Sequence, residues 1–276
     1  MTTATLDRAA RPGSGHAAGR YGFRSVARME WLKLRSVRST WWTLLVFVAG
    51  MVGLSVLIMA HQNWATMPAG QRAGFDPTND SMAGLAIGQL ALGVLGCLAI
   101  TSEFSSGLIR LTFAAAPRRP LVLAAKTAVL AAVALVAGEI MAFAAWGVGE
   151  AVLRSPAPHA TLAQPGVLRA VLMGGAYPAL IALLALGLGA LIRHTAGAIS
   201  AVVGVLFVLP LILVPLGISI QNSVGQFMPM IIAENSLTAV KPVAHSLAPW
   251  TGLGMLCLYT AAALAAGTWA LARRDA

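Results

Sequence analysis

Six stretches of this chain, 41–60, 81–101, 123–149, 168–192, 195–220 and 250–272, run for about twenty residues or more with few or no charged side chains. That is the length at which a helix crosses the hydrocarbon of a bilayer. No water is present there to satisfy the backbone, so each run has to pair its own N–H and C=O groups and is expected as a helix. The third run is long enough to tilt or to begin before the membrane. The expected fold is an all-α integral membrane protein of six transmembrane helices, a single membrane domain over residues 23–276 behind a disordered tail, 1–22.

Composition agrees. Apolar residues make up 58% of the chain and charged residues 10%, against about 25% charged in an ordinary soluble domain. The net charge of +10 would point to nucleic acid in a soluble protein. Here the cations flank apolar runs, which is the pattern of membrane topology rather than of a nucleic-acid partner. Eight Lys or Arg precede Trp41. Arg110, Arg118, Arg119 and Lys126 lie between the second and third runs, Arg193 between the fourth and fifth, and Arg273 and Arg274 after the last. The alternate connections hold Arg72, Arg154, Arg169 and Lys241. This imbalance places both termini in the cytoplasm. The first apolar run begins too far from the N-terminus for a signal peptide. Cys97 and Cys257 both fall in apolar runs and form no metal spacing.

Ahead of the first run, 23–38 reads as an interfacial helix. Val26, Met29, Leu34 and Val37 share a face with Trp31 near its edge, and Arg24, Arg28, Lys33, Arg35 and Arg38 crowd the remainder. Such a helix suits the headgroup layer, its cations on anionic lipid, or serves as a topological anchor. The connection 61–80, with Pro68, Gly70, Gly74 and Pro77, is expected to be mostly irregular. In 221–249 the segment 228–239 is expected as a short helix or re-entrant piece.

No phosphate loop, H-E-x-x-H or nucleophile elbow is present, and the five histidines are scattered. Energy for any transport would come from another subunit or an ion gradient. The most informative polar segment is 102–117. On one helix Phe104, Leu108, Leu111 and Ala115 would form an apolar stripe, with Glu103, Ser106 and Arg110 at its polar edge and Pro117 ending it. A stripe outside the membrane has to be buried, either on the lipid surface or on a partner.

Within the apolar runs, Glu139 lies near mid-bilayer, where a charge costs about 2.5–3.5 kcal/mol on insertion scales. It reads either as a substrate, gating or proton site, or as an interhelical hydrogen-bonding residue with Gln89 as its candidate partner. Gln89 lies midway along the second run. Gly84-x-x-x-Gly88 and Ser200-x-x-x-Gly204 are candidate close-packing surfaces. Pro210 and Pro215 are expected to kink or break the fifth helix, as a gate or as a fixed shape.

The set Glu103, Gly107, Leu108, Arg110, Pro117 and Arg119, followed by Lys126, resembles the coupling helix of type-2 ABC exporter permeases. The entry to the first run, 28–45, and the last run with its Arg-Arg-Asp end are similar to actinobacterial members. The resemblance implies a bacterial cytoplasmic-membrane permease subunit that dimerises with a second permease subunit, of the same or a different chain. Each half would bind a separate ABC ATP-binding subunit, which holds the ATP and Mg. It implies that Glu103, Phe104, Gly107, Leu108 and Arg110 sit against that ATPase, and that the second and fifth helices line a path, with Gln89, Glu139 and Pro210 as candidate pathway or gating residues. The cargo would be an amphiphilic or hydrophobic compound, and this chain would be non-catalytic, binding no cofactor or metal. Two other classes stand beside this reading: a proton-coupled transporter using Glu139, and a membrane anchor recruiting a soluble partner.

Overall fold

The computed structural model describes residues 22–115, 118–154, 156–240 and 244–273. The tail expected over 1–22 lies almost wholly outside these residues, as do Pro117, Lys241 and Arg274. The described residues contain helices and turns and no strand. Six helices are long and apolar enough to cross a membrane, the architecture of a multi-pass membrane protein.

The chain enters through α1 (Phe23–Ser36), turns at the extended residue Val37 and continues as α2 (Arg38–His61). The connection expected to be irregular contains two short helices, Ala69–Arg72 and Pro77–Ser81. Trp64 packs edge-on to Phe75, their ring centres 5.6 Å apart. Next come α3 (Leu85–Ser105), the short α4 (Leu108–Ala115) and α5 (Arg119–Val152). The 34 residues of α5 are longer than a span needs, reaching about 50 Å at 1.5 Å per residue. Its first turns pack against α1 and Phe113 of α4. Pro120 is tolerated in that first turn because the N–H it lacks has no helical partner there.

The second half comprises α6 (Val167–Ile192), α7 (Thr195–Leu213), α8 (Pro229–Leu237) and α9 (Pro249–Arg273). In α7 the α-helix gives way to a π turn over Gly204–Val208 ahead of Pro210, which supplies no N–H to the ladder. A 3-10 turn at Val214–Leu216 and Gly217, with φ 99°, end the helix three residues or more before the boundary expected at 220. The expected short helix in 228–239 is α8, whose Ile232, Ala233 and Leu237 are buried.

The core sits around α6, which packs on α3, α5 and α9 and also meets α7 and α8. In the most apolar window of α6 67% of residues are buried, and in that of α3 61%, against 22–28% in the other four spans. The spans therefore form an inner pair with four helices around it. Close backbone approach makes this possible. A Cβ at Gly96 of α3 would collide with the carbonyl oxygen of Ala182 in α6, and one at Gly187 would lie 2.5 Å from Ala263 of α9. Of the two small-residue surfaces expected from sequence, Gly84 and Gly88 do meet α2, at Gly50 and Met51. Gly204 has nothing within 4 Å of a Cβ position, so the second surface is not used among the described residues.

These contacts set up a paired expectation. Gly96→Ala forces α3 and α6 apart and should lower stability by about 1–3 kcal/mol, as overpacking does. Gly204→Ala should leave it unchanged or slightly raised. Thermal unfolding of the detergent-solubilised chain, followed by loss of the monodisperse elution peak, checks both.

Candidate functional site

Four elements meet at the end of the bundle where α1 and α4 lie, and each brings one or two polar side chains. The inward face of α1 is Val26, Glu30, Lys33 and Leu34, at helical spacing. Val26 packs on Val122 and Ala125 of α5, which seats α1 along the start of that helix. This burial places Glu30, one turn later, opposite Lys126 of α5. The last turn of α3 brings Glu103 to the same point, and α4 brings Thr112.

The result is a closed network. Lys126 Nζ donates to Glu30 Oε2 and, at 2.7 Å, to Glu103 Oε1. Lys33 Nζ donates to Glu30 Oε1 at 3.1 Å, to Glu103 Oε1 at 3.1 Å and to Thr112 Oγ1 at 3.4 Å. The Thr112 hydroxyl donates to Glu103 Oε2 at 3.2 Å. Glu30, Glu103, Thr112 and Lys126 are buried, and Lys33 is half-buried. Two carboxylates and two ammonium groups balance, so no net charge is left out of water. Burial alone would lower the Lys33 pKa, but the charges of Glu30 and Glu103 and their hydrogen bonds more than offset this and hold it above the usual lysine value. Such a group contributes stability below its unfolded pKa and loses it only as pH rises through the raised folded value. Near neutrality the network is therefore fully charged at Lys33.

The helix expected over 102–117 is divided. Residues up to Ser105 belong to α3, and the chain turns at Ser106 and Gly107, where Gly107 takes φ 70°, a conformation open to glycine. The stripe expected through Phe104, Leu108, Leu111 and Ala115 is thus broken. Phe104 stays on α3, half-buried beneath the Arg193 guanidinium, 5.2 Å from its ring centre. On α4, Ile109 and Thr112 are buried, while Leu108 and Leu111 are 52% and 67% exposed and Arg110 is exposed between them. Glu103, expected at a polar edge, is buried inside the network.

The other singled-out residues lie elsewhere. Gln89 is buried between α3 and α6, its Oε1 accepting from the Tyr177 hydroxyl at 2.7 Å, so its partner is Tyr177 and not Glu139. Glu139 packs against Gly175 of α6, and its Oε2 is buried with no hydrogen-bond partner. Pro210 lines a cleft of about 420 Å³ with Phe207, Val214, Asn222 and Met228, remote from α4.

At the opposite end Asp76 forms a second buried junction. Its Oδ1 accepts from the N–H groups of Thr78 and Asn79, and its Oδ2 from those of Ala239 and Val240. This joins the two long connections. Burial, with the Asp76 charge beside it, pushes the Asp80 carboxyl up to about 6; Gln62 donates to it at 3.3 Å.

Comparison with protein-family models and with curated proteins finds no match to this chain.

Two expectations follow. Lys126→Met leaves the buried Glu30 and Glu103 with only the half-buried Lys33 between them and should cost about 3–5 kcal/mol. Adding Glu30→Gln should recover part of it, measured as unfolding free energy in detergent micelles. Asp80 has a folded pKa above its unfolded value, so its protonation favours the fold and stability should rise as pH falls from 7.5 to 5. Asp80→Asn should remove this portion of the pH dependence, read from melting temperatures across that range.

Proposed function

We propose that this chain is the membrane-spanning permease subunit of an ATP-driven ABC exporter. It would move an amphiphilic or hydrophobic compound across the bacterial cytoplasmic membrane, with both termini in the cytoplasm. ATP and Mg belong to a separate ATP-binding subunit, and a second permease subunit, of the same or another chain, completes the pathway. This chain performs no catalysis of its own. The proposal joins the sequence resemblance to one observation: α4 displays Leu108, Arg110 and Leu111 outward while its other face is fastened to the spans. Exposed leucines on an eight-residue connector have to be covered, by lipid or by a partner, and on a docking helix the partner covers them.

The network supports a division of labour in this segment. Leu108, Arg110 and Leu111 are the contact surface for the ATPase. Glu103 holds α4 through Thr112, and ties it to α1 and α5 through Lys33 and Lys126. Phe104 and Gly107 act on the same side, one anchoring the end of α3 and the other setting the turn. A push on α4 is then not absorbed locally, because moving α4 alone would strip the buried Glu103 carboxylate of the Thr112 hydroxyl. The displacement passes to α1, α3 and α5, and through α3 to the central α6. Interfaces of packed helices respond in this way by small rigid shifts.

A second reading is favoured by one observation, the buried oxygen of Glu139 without a partner. A mid-membrane carboxyl with free hydrogen-bonding capacity suits a proton site, and it would serve a proton-coupled transporter.

Capture through a C-terminal tag after gentle extraction distinguishes the two. Wild-type protein should bring down a soluble ATP-binding subunit. Leu108→Asp should weaken that capture by about thirtyfold, the ratio for a 2 kcal/mol interface residue. Glu139→Gln should leave capture intact. If the chain comes out without an ATPase, and Glu139→Gln abolishes transport, the proton-coupled reading replaces the exporter.

A further inference from the structure

The elbow between α1 and α2 encloses a cleft of about 450 Å³ that borders the coupling segment at Glu103 and Leu108. Its apolar lining is Leu34 of α1 and Leu95, Leu98 and Ala99 of α3, with the exposed Val37 and Leu108 also bordering it. Lys33 and Lys126 border it, but their ammonium groups are already neutralised by Glu30 and Glu103. The rim is different. Arg35 and Arg38 are exposed and alternate along the chain with the lining residues Leu34, Ser36, Val37 and Ser39. Neither arginine lines the cleft itself, but each is joined on both sides to a residue that does, and the one acid of α1 and the elbow, Glu30, is buried and paired, so among the described residues this edge is positive.

Depth fixes the environment. The elbow lies where the span α2 begins and the span α3 ends. Trp31, Trp41 and Trp42 are exposed around it, and the Trp41 indole N–H donates to the Arg35 carbonyl oxygen at 3.0 Å. Exposed tryptophans at a span end mark the headgroup level. An apolar slot opening at headgroup level beneath a positive rim matches one kind of molecule, with an acyl chain and a negatively charged head.

We propose that this cleft binds one anionic phospholipid from the surrounding leaflet, its acyl chain against Leu95, Leu98 and Ala99 and its phosphate at Arg35 and Arg38. The bound lipid fills the space beside the charge network and steadies α1 against α3. The site is independent of the ATPase reading, since it requires only the bilayer.

The test is native mass spectrometry of the full chain in detergent, titrated with phosphatidylglycerol or phosphatidylcholine of identical acyl chains. Phosphatidylglycerol is expected to bind as a single retained copy, at least tenfold more tightly than phosphatidylcholine. Arg35→Gln with Arg38→Gln should lower its affinity by about twenty-five-fold, near fivefold per charge, as for basic residues at an anionic surface. Arg35→Lys with Arg38→Lys should retain most of the affinity. Ala99→Trp, which fills the slot and keeps the charges, should abolish the single retained copy, and this variant must elute as wild type does. Arg24→Gln with Arg28→Gln, on α1 away from the cleft, should change nothing. Equal binding of the two lipids would overturn the proposal. So would an equal loss from the Arg24 and Arg28 pair, which would mean general surface attraction. Displacement by soluble glycerol phosphate would do so too, because the acyl slot would then be irrelevant.

Discussion

The carboxylate of Glu103 is the point through which one end of this molecule is held together. It accepts from two ammonium groups and one hydroxyl, brought by α1, α5 and α4, while its own backbone ends α3. None of those partners is optional once the group is buried. A charge removed from water costs several kcal/mol unless it is paired and hydrogen-bonded. The network returns that cost only if all four elements keep their places. Its worth lies less in net stability, since apolar replacements of buried ion pairs are often as stable, than in excluding other arrangements of these helices. An eight-residue helix is marginal alone, and the buried Ile109 and Thr112 together with this network supply α4 with its position.

Packing of the spans follows a different rule. Helices in hydrocarbon gain little from hiding apolar surface and associate through close contact. That is why α6 can take the centre. Glycine and alanine on its faces allow α3, α5 and α9 to approach backbone to backbone, as at Gly96 against Ala182 and Gly138 against Gly175. The inner pair α3 and α6 then connects the polar network at one end to the Asp76 junction at the other. Asp76 joins its two connections through four backbone N–H groups rather than through counter-charges.

Much of the fold was legible because the bilayer imposes a single length and composition on anything that crosses it. The six runs appear as six helices, with ends moved by a few residues where a polar end still fits helical geometry, as at Arg38 and Ser105. The division at Gly107 was not legible, since apolar residues keep helical spacing straight through it and only the positive φ reveals the turn. The central place of α6 was hidden for a related reason: hydropathy does not distinguish an inner span from an outer one. Glu30 drew no notice among five cations on an amphipathic helix, and its partner Lys126 is far away in sequence. Two signals did exist. Glu30 is the sole acid between Asp7 and Asp76, and Lys33 and Lys126 are two of only three lysines among nineteen cations. A compact ammonium suits a point between two carboxylates better than the planar guanidinium used elsewhere on this chain. Glu139 stands out in the sequence as costly and Gln89 as its candidate partner, but nothing in the sequence points to Tyr177 as the group that satisfies Gln89.

Buried charge gripped through the Thr112 hydroxyl, rather than local helical propensity, holds α4 in position against the spans. Amide hydrogen exchange across Leu108–Ala115, compared between the wild-type chain and Glu103→Gln with Lys126→Met, tests it most directly. Exchange in α4 should accelerate by tenfold or more in the variant while the amides of α9 keep their protection. Unchanged protection of α4 with the charges of Glu103 and Lys126 both removed would contradict this.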